Sequence, residues 1–179
     1  MGSDKTGGAI DGGQTMENRI EVLREHIDDV ILNMTDTLDR RCAYLHLYGV
    51  SQACALIALR RGENAELATM AGMLHDFYTY KFADSKNHAE KGAVLAREVL
   101  GVLGITTDDE TDLICSAIHN HSSKGSVHSA FDEVLIDADV LQHCIYNITL
   151  PVMEHEKERF EKLIKEFGLK HNYGGCQNV

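Results

Sequence analysis

Apolar residues recur at spacings of three and four through most of the chain, which is the period of an amphipathic helix. Ile20, Leu23, Ile27 and Ile31, for example, form one stripe near the start. No segment bounded by turn residues shows the alternation of apolar and polar side chains that is typical of a β-strand. The pattern predicts an all-α protein, a single compact bundle of about six to seven helices.

Cap and turn residues divide this pattern into seven segments. The predicted helices run from about Glu17 to Asn33, Thr37 to Arg61, Asn64 to His75, His88 to Leu103, Asp108 to His121, Asp132 to Tyr146 and Val152 to Phe167. The stretch from Asp76 to Asn87 is predicted to be a polar break. We expect one domain over residues 17–168, preceded by a flexible or artificially added start at 1–16 and followed by a frayed tail at 169–179.

Composition narrows the function classes. The chain of 179 residues is 44% hydrophobic, which suffices for a real core. Its net charge of -11 argues against stable nucleic-acid binding, which needs clustered Lys and Arg. The five cysteines are odd in number and form no C-x-x-C pair, which favours reduced thiols in a cytoplasmic protein. No signal segment is evident and no run approaches about 18 apolar residues, so we expect no membrane association.

Ten histidines are many for this length, and some of them fall where ligands could converge. His46 lies among small residues on the second predicted helix, which leaves room for an ion or a substrate; a hydrogen-bonded core histidine is the plainer interpretation. His75 and Asp76 close the third helix, where simple capping is the alternative. Imidazole nitrogen and carboxylate oxygen together suit Zn, Fe or Mn.

In two further pairs of residues, only one member is expected to be a metal ligand. His119 and His121 are rotated by about 200° on one helix, so both cannot easily reach one ion. His121 shares its face with apolar residues and should point inward, whereas His119 should point outward. Asp137 and Asp139 both lie in an apolar helix, and periodicity does not decide between them. Such a carboxylate needs a partner, either a metal or a buried Arg or Lys.

The order His46, His75–Asp76, Asp139 resembles the HD superfamily of metal-dependent phosphohydrolases. The flanking sequences are also similar, namely Arg41–His46, Ala71–Asp76 and the closing Asp137–Leu141. This last match selects Asp139 over Asp137. The resemblance covers about Leu38 to Asn147 and implies a helical HD-type domain whose metal is held by His46, His75, Asp76 and Asp139.

Two further matches imply a second metal. Asn87–Gly92 resembles the His-x-x-x-Gly opening of binuclear members, and Ala117–His121 resembles their Ala-Ile-x-x-His stretch. The additional ligands would be His88 and His121, with Asp76 bridging the ions and orienting the activated water. The chain lacks a Gly-Tyr-Pro run, and the gap from Asp76 to His88 is short. Cyclic dinucleotide cleavage is therefore not expected.

The implied activity is hydrolysis of a nucleotide or related phosphoester by a metal-activated water. The cofactor would be one or two divalent ions of Fe, Mn, Co, Zn or Ni, and Mg could also fit. Lys91 and Lys124 are candidates for contacts to the substrate phosphate. The partner would be a small phosphorylated molecule, and the first and last helices could also meet a second copy in a homodimer.

Two other functions stay open at this point. The same ligands could serve a catalytically silent sensor of metal or nucleotide. A plain helical interaction module would instead leave His46, His75, Asp76 and Asp139 apart in space. The distances between these four residues in the folded chain distinguish this last alternative from the other two.

Overall fold

A computed structural model describes residues 18–170. These residues form eight helices and no strand, in agreement with the predicted all-α class. The helices are α1 (Arg19–Leu32), α2 (Thr37–Arg61), α3 (Ala65–Leu74), α4 (Phe77–Phe82), α5 (His88–Leu103), α6 (Asp108–Asn120), α7 (Ala130–Tyr146) and α8 (Lys157–Glu166). The predicted start at 1–16, and the predicted tail beyond residue 170, lie outside the described residues.

Helix α2 is the centre of the bundle and packs against α3 on one side and α7 on another. Asp36 caps its start, and the Asp36 carboxylate accepts hydrogen bonds from the backbone N–H groups of Leu38 and Asp39. It ends at Gly62, where φ is +78°, a conformation that glycine adopts without strain. Its buried side chains belong to the main core, to which the seven other described helices also contribute.

The same helix is long and apolar enough to satisfy the length and composition criteria for a membrane span. An 18-residue window within Thr37–Arg61 has a mean hydropathy of 1.4, and 44% of that window is buried inside the protein. The expectation that no segment approaches this composition was therefore wrong for α2. The buried core helix of a soluble protein satisfies the same criteria.

Helices α2 and α3 approach each other closely at Gly72. A Cβ atom built on Gly72 would lie 2.6 Å from the Cα of Ser51 and 2.8 Å from its backbone nitrogen. The small residues of these faces were expected to leave space beside His46. At Gly72 the missing side chain instead allows two backbones to touch, and this contact carries the end of α3 toward α2.

The stretch predicted as a polar break contains the short helix α4. Two residues in the connection to α5 have positive φ values, 51° at Ala83 and 54° at Asn87. Asparagine is tolerated in this region, whereas alanine is uncommon there. The resulting turn places His88 in the first turn of α5, facing back toward the end of α3.

The last helix is shorter than predicted. It begins at Lys157 rather than near Val152, and Glu156 immediately before it is 1% exposed. Glu156 stands in a run of acidic and basic residues that is typical of a solvent-exposed helical face. The sequence therefore offered no reason to single it out. The structure turns this carboxylate inward, toward Lys124 and His143.

An ion network fastens α1 to the rest of the bundle. The Arg19 guanidinium contacts Glu66 of α3 at 2.5 Å and Glu110 of α6 at 2.9 Å. It also donates to the carbonyl of Ile105. Because these acceptors lie on separate elements, Arg19 ties the start of α1 to α3 and α6.

Candidate metal centre

The structure brings together all six residues for which a metal-binding role was predicted. They come from five different helices or helix ends, since only His75 and Asp76 are neighbours in sequence. The fold, rather than local sequence, therefore forms the cluster. His75 is 0% exposed, His121 2% and Asp139 4%. The interpretation as a plain interaction module, which needed the residues to be dispersed, is not supported by this geometry. The residues are His46, His75, Asp76, His88, His121 and Asp139.

Asp76 lies between two pairs of histidines. Its Oδ2 atom is 3.3 Å from His46 Nε2 and 3.7 Å from His75 Nε2. Its Oδ1 atom is 3.4 Å from His88 Nε2 and 3.6 Å from His121 Nε2. The two oxygens of one carboxylate therefore face two different ligand clusters.

In the first cluster the imidazole lone pairs converge. His75 Nδ1 lies 2.8 Å from the Gly72 carbonyl, and His46 Nδ1 lies 3.0 Å from Oε1 of Gln142. Both oxygens can only accept, so both Nδ1 atoms carry a proton. In the neutral rings the lone pairs are then on the Nε2 atoms, which lie only 3.0 Å apart.

The second cluster repeats this arrangement. His121 Nδ1 donates to the Ile118 carbonyl at 2.6 Å, and His88 Nδ1 donates to the Ser85 carbonyl at 3.1 Å. The two Nε2 atoms are 3.1 Å apart. The Ser122 hydroxyl is 3.0 Å from one of them and 3.3 Å from the other, and it can donate its proton to only one.

These atoms fit a metal better than they fit protons. Asp76 Oδ1 and Asp139 Oδ1 are buried and accept no hydrogen bond from any described residue. One proton can satisfy one facing pair, whereas a cation satisfies all converging lone pairs together. Metal–nitrogen bonds are about 2.0–2.1 Å, so ligand atoms about 3 Å apart can be neighbours around one ion. Backbone carbonyls on the far ring nitrogens are also typical of metal-ligating histidines.

Asp137 and Asp139 differ in their partners. Asp139 Oδ1 is 3.7 Å from His46 Nε2 and 3.9 Å from His75 Nε2. Asp137 instead accepts from Arg61 at 2.7 Å and from Arg159 at 2.9 Å. Asp137 thus has the arginine partners that a buried carboxylate needs, and Asp139 faces the cluster.

The electrostatics of the centre favour ionised carboxylates and a neutral ring at His75, whereas at His46 burial is outweighed by Asp76, Asp139 and Gln142, which raise its pKa. Burial would raise the pKa of Asp76, but the facing rings of His75, His121 and His46 outweigh it and lower the pKa. Burial likewise opposes ionisation of Asp139, yet His75 and Lys124 bring its pKa down to about 2. Burial lowers the pKa of His75 to about 4. Deprotonated imidazoles and carboxylates are the forms that bind a metal.

The two predicted lysines lie in different places. Lys124 contacts Asp139 Oδ2 at 2.9 Å and Glu156 Oε1 at 2.5 Å, and it lines the cavity beside the cluster. Lys91 pairs with Asp84 at 2.7 Å and lies over the ring of Tyr78. Lys91 is not among the described residues that line this cavity, so its contact with a substrate phosphate stays a prediction.

A cavity of about 630 Å³ opens beside the cluster. This is within the range of about 300–1,000 Å³ that is common for small-molecule sites. Its lining includes His88 and His121 of the second cluster, both carboxylates Asp76 and Asp139, and several residues that sequence did not single out. The lining residues are Asp76, His88, His121, Ser122, Lys124, Gly125, Asp139, His143, His155, Glu158 and Arg159.

Sequence reasoning missed His143, Glu156 and Gln142. His143 follows Asp139 by one helical turn, so the i, i+4 spacing of two polar residues in an apolar helix was an available signal. Gln142 holds His46 from the other side while donating to the Leu45 carbonyl. Glu156 gave no signal, because only the folded chain buries it. His119, by contrast, is exposed as expected.

Comparison with known proteins agrees with this geometry. The model of the HD domain family matches residues 43–144, more than half of the chain. The chain belongs to the HD domain family. The matched stretch of the HD domain contains His46, His75–Asp76 and Asp139 in order.

The HD domain fold is also found in a solved structure, a predicted HD superfamily hydrolase from an uncultured Thermotogales bacterium. The two chains are 20% identical and superimpose with a TM-score of 0.52, over 84% of this chain and 87% of that one. At this identity the likeness concerns the fold. The search of curated proteins found no match.

Proposed function

We propose that this HD domain is a metal-dependent phosphohydrolase that acts on a nucleotide or a related phosphoester through a metal-activated water. One observation carries the proposal. The two oxygens of Asp76 each face a pair of histidine Nε2 atoms, and Asp76 Oδ1 is buried without a hydrogen-bond donor among the described residues. A centre of this kind suits two divalent ions bridged by one carboxylate.

Each residue has a defined part in holding the ions. His46, His75 and Asp139 would hold the first ion with Asp76 Oδ2, and His88 and His121 would hold the second with Asp76 Oδ1. The oxygen acceptors on every Nδ1 atom keep the four rings in the required tautomer. Divalent metals in such a centre act as Lewis acids toward a phosphoryl oxygen and lower the pKa of water toward neutrality.

The charge balance supports an anionic substrate. Asp76, Asp139 and Glu156 bring three negative charges, and Lys124 brings one positive charge. Two divalent cations would reverse the sign from two negative charges to two positive ones, so the loaded cavity would attract phosphate despite the acidic chain. Lys124 lines the cavity and can contact a phosphoryl oxygen when the substrate displaces one of its carboxylate partners.

The size and lining of the cavity favour a substrate no larger than a nucleotide or a dinucleoside polyphosphate. Its volume of about 630 Å³ accommodates a small molecule, and its lining combines lysine, arginine and histidine side chains with three carboxylates. Phosphomonoesters, diesters and pyrophosphates require the same ligands, so a substrate panel must distinguish them.

The test is turnover by the metal-reconstituted chain. Protein stripped of metal and reloaded with Mn, Fe, Co, Ni, Zn or Mg is incubated with nucleoside monophosphates, cyclic or linear diesters and dinucleoside polyphosphates, and products are separated by chromatography. We expect turnover in at least one series that requires added metal. Asp76→Asn is the matched control and should show none, because it removes the bridging charge at constant side-chain shape.

Two outcomes would contradict the proposal. Full metal occupancy without turnover on any substrate would favour the silent sensor instead. Retained metal occupancy in both His75→Ala and Asp76→Asn, with helix content unchanged by circular dichroism, would show that these residues are not ligands.

A further inference from the structure

A third histidine borders the first ligand cluster. His143 lies on α7, one turn after Asp139, and its Nε2 atom is 3.3 Å from Asp139 Oδ1. Its ring stacks on that of His46, with centroids 5.2 Å apart and planes 8° from parallel. The ligand atoms of His46, Asp139 and His143 all lie within 4.8 Å of one another. This residue is thus close enough to share an ion with His46 and Asp139.

The other nitrogen of this ring is held by a buried carboxylate. His143 Nδ1 is 3.0 Å from Glu156 Oε1, and Glu156 is 1% exposed. Lys124 donates to the same oxygen, which keeps the carboxylate ionised and able only to accept. His143 therefore donates through Nδ1. In the neutral ring its Nε2 lone pair faces Asp139 Oδ1, which accepts no hydrogen bond from the described residues.

A doubly protonated His143 that links Asp139 and Glu156 is the competing explanation. Lys124 already makes that link, with Nζ at 2.9 Å from Asp139 and 2.5 Å from Glu156. Its single charge compensates one of the two carboxylates, and a metal ion between His143 Nε2 and Asp139 Oδ1 would compensate the other. The facing acceptors at His143 and Asp139 then repeat the arrangement seen at His46 and His75.

We propose that His143 is an additional ligand of the first metal ion and that the buried Glu156 is the residue that positions it. The inference rests on the metal centre of the proposed function and adds a ligand to it. A carboxylate on the far nitrogen of a ligating imidazole fixes its tautomer and raises its basicity. The first ion would therefore have three imidazole ligands, from α2, the end of α3 and α7.

The test measures metal binding rather than activity. In a background of His88→Ala and His121→Ala, which leaves only the first cluster, the apo protein is titrated with Zn²⁺ against a chromophoric chelator. X-ray absorption of the protein with one equivalent of Zn²⁺ then counts imidazole ligands. We expect three imidazoles in this background and two after His143→Ala, with affinity lower by at least about tenfold. Glu156→Gln should weaken binding by about 10- to 100-fold.

Controls and outcomes keep the inference separate from the proposed function. His119→Ala, which removes an exposed histidine of α6, should change neither affinity nor imidazole count. Thermal unfolding of the metal-free variants checks that each one folds. An imidazole count of two in the His88→Ala/His121→Ala background, or a Zn²⁺ affinity that His143→Ala leaves unchanged, would overturn the inference. Neither result would overturn the proposed function. A wild-type chain that binds no metal at all would overturn the proposed function with it.

Discussion

Replacing Gly72 by alanine should both destabilise the bundle and weaken the metal centre. The new Cβ would lie 2.6 Å from Ser51 Cα and 2.8 Å from its backbone nitrogen. Backbone atoms cannot rotate away as the end of a side chain can, so α2 and α3 must move apart. The Gly72 carbonyl also accepts the Nδ1–H of His75, and its displacement would turn that ring away from His46.

The magnitude follows from two opposing effects. Overpacking a core usually costs about 1–3 kcal/mol, and contact with backbone places this site near 3 kcal/mol. Alanine regains about 1 kcal/mol through its higher helix propensity. The net loss is then about 2 kcal/mol, which lowers the melting temperature of a chain of this size by about 4–8 °C. Losing the orientation of His75 should weaken metal affinity by about 10- to 100-fold.

Gly101 provides the matched control. It lies in α5, is exposed, and a Cβ there would meet no atom within 4 Å. Gly101→Ala should therefore stabilise the protein by about 0.5–1 kcal/mol and leave metal binding unchanged. Thermal unfolding of both metal-free variants and chelator competition supply the readouts. If Gly72→Ala melts no lower than wild type, the packing argument is wrong; if it melts lower but binds metal normally, the coupling to His75 is wrong.

The remaining predictions concern the other charged residues. Asp137→Asn should lower the free energy of unfolding in urea by about 1.5–3 kcal/mol, with metal content unchanged, because it removes a charged acceptor from Arg61 and Arg159 and leaves them only Glu166 and Glu133 respectively. Asp139→Asn should instead reduce metal content, and equal metal loss in both variants would contradict the distinct roles. Arg19 holds the pKa of Glu66 below its ordinary value, so this ion pair stabilises the fold above about pH 4.3 and the contribution is lost as pH falls through the lower folded pKa. Arg19→Met should make the acid-induced loss of stability less steep, and an unchanged acid profile would refute this assignment.

The sequence predicted the helices well where periodicity and caps agree. The limits predicted for α2, Thr37 and Arg61, match the structure, as do those of α5. Prediction failed where tertiary contacts override local pattern. Residues 77–82 form α4 within a predicted break, and the turn before α8 follows from the burial of Glu156 rather than from its neighbours in sequence.

The candidate site was predictable only where its residues lie in recognisable local sequence. Family-like flanks identified His46, His75–Asp76 and Asp139, and the facing of Asp76 toward His88 and His121 agrees with the second metal that the resemblance implied. The contact between His143 and Glu156 joins residues 13 apart across an irregular segment. No periodicity specifies such a contact, so only the folded chain reveals it.

The central claim is that Asp76 bridges two metal ions. Elemental analysis of protein purified without chelators and without air tests it most directly. The account predicts two transition-metal ions per chain in the wild type, one in the His88→Ala/His121→Ala variant and fewer than one in Asp76→Asn. A wild-type chain that carries no ion, even after Mn, Fe, Co or Zn is added, would contradict the account.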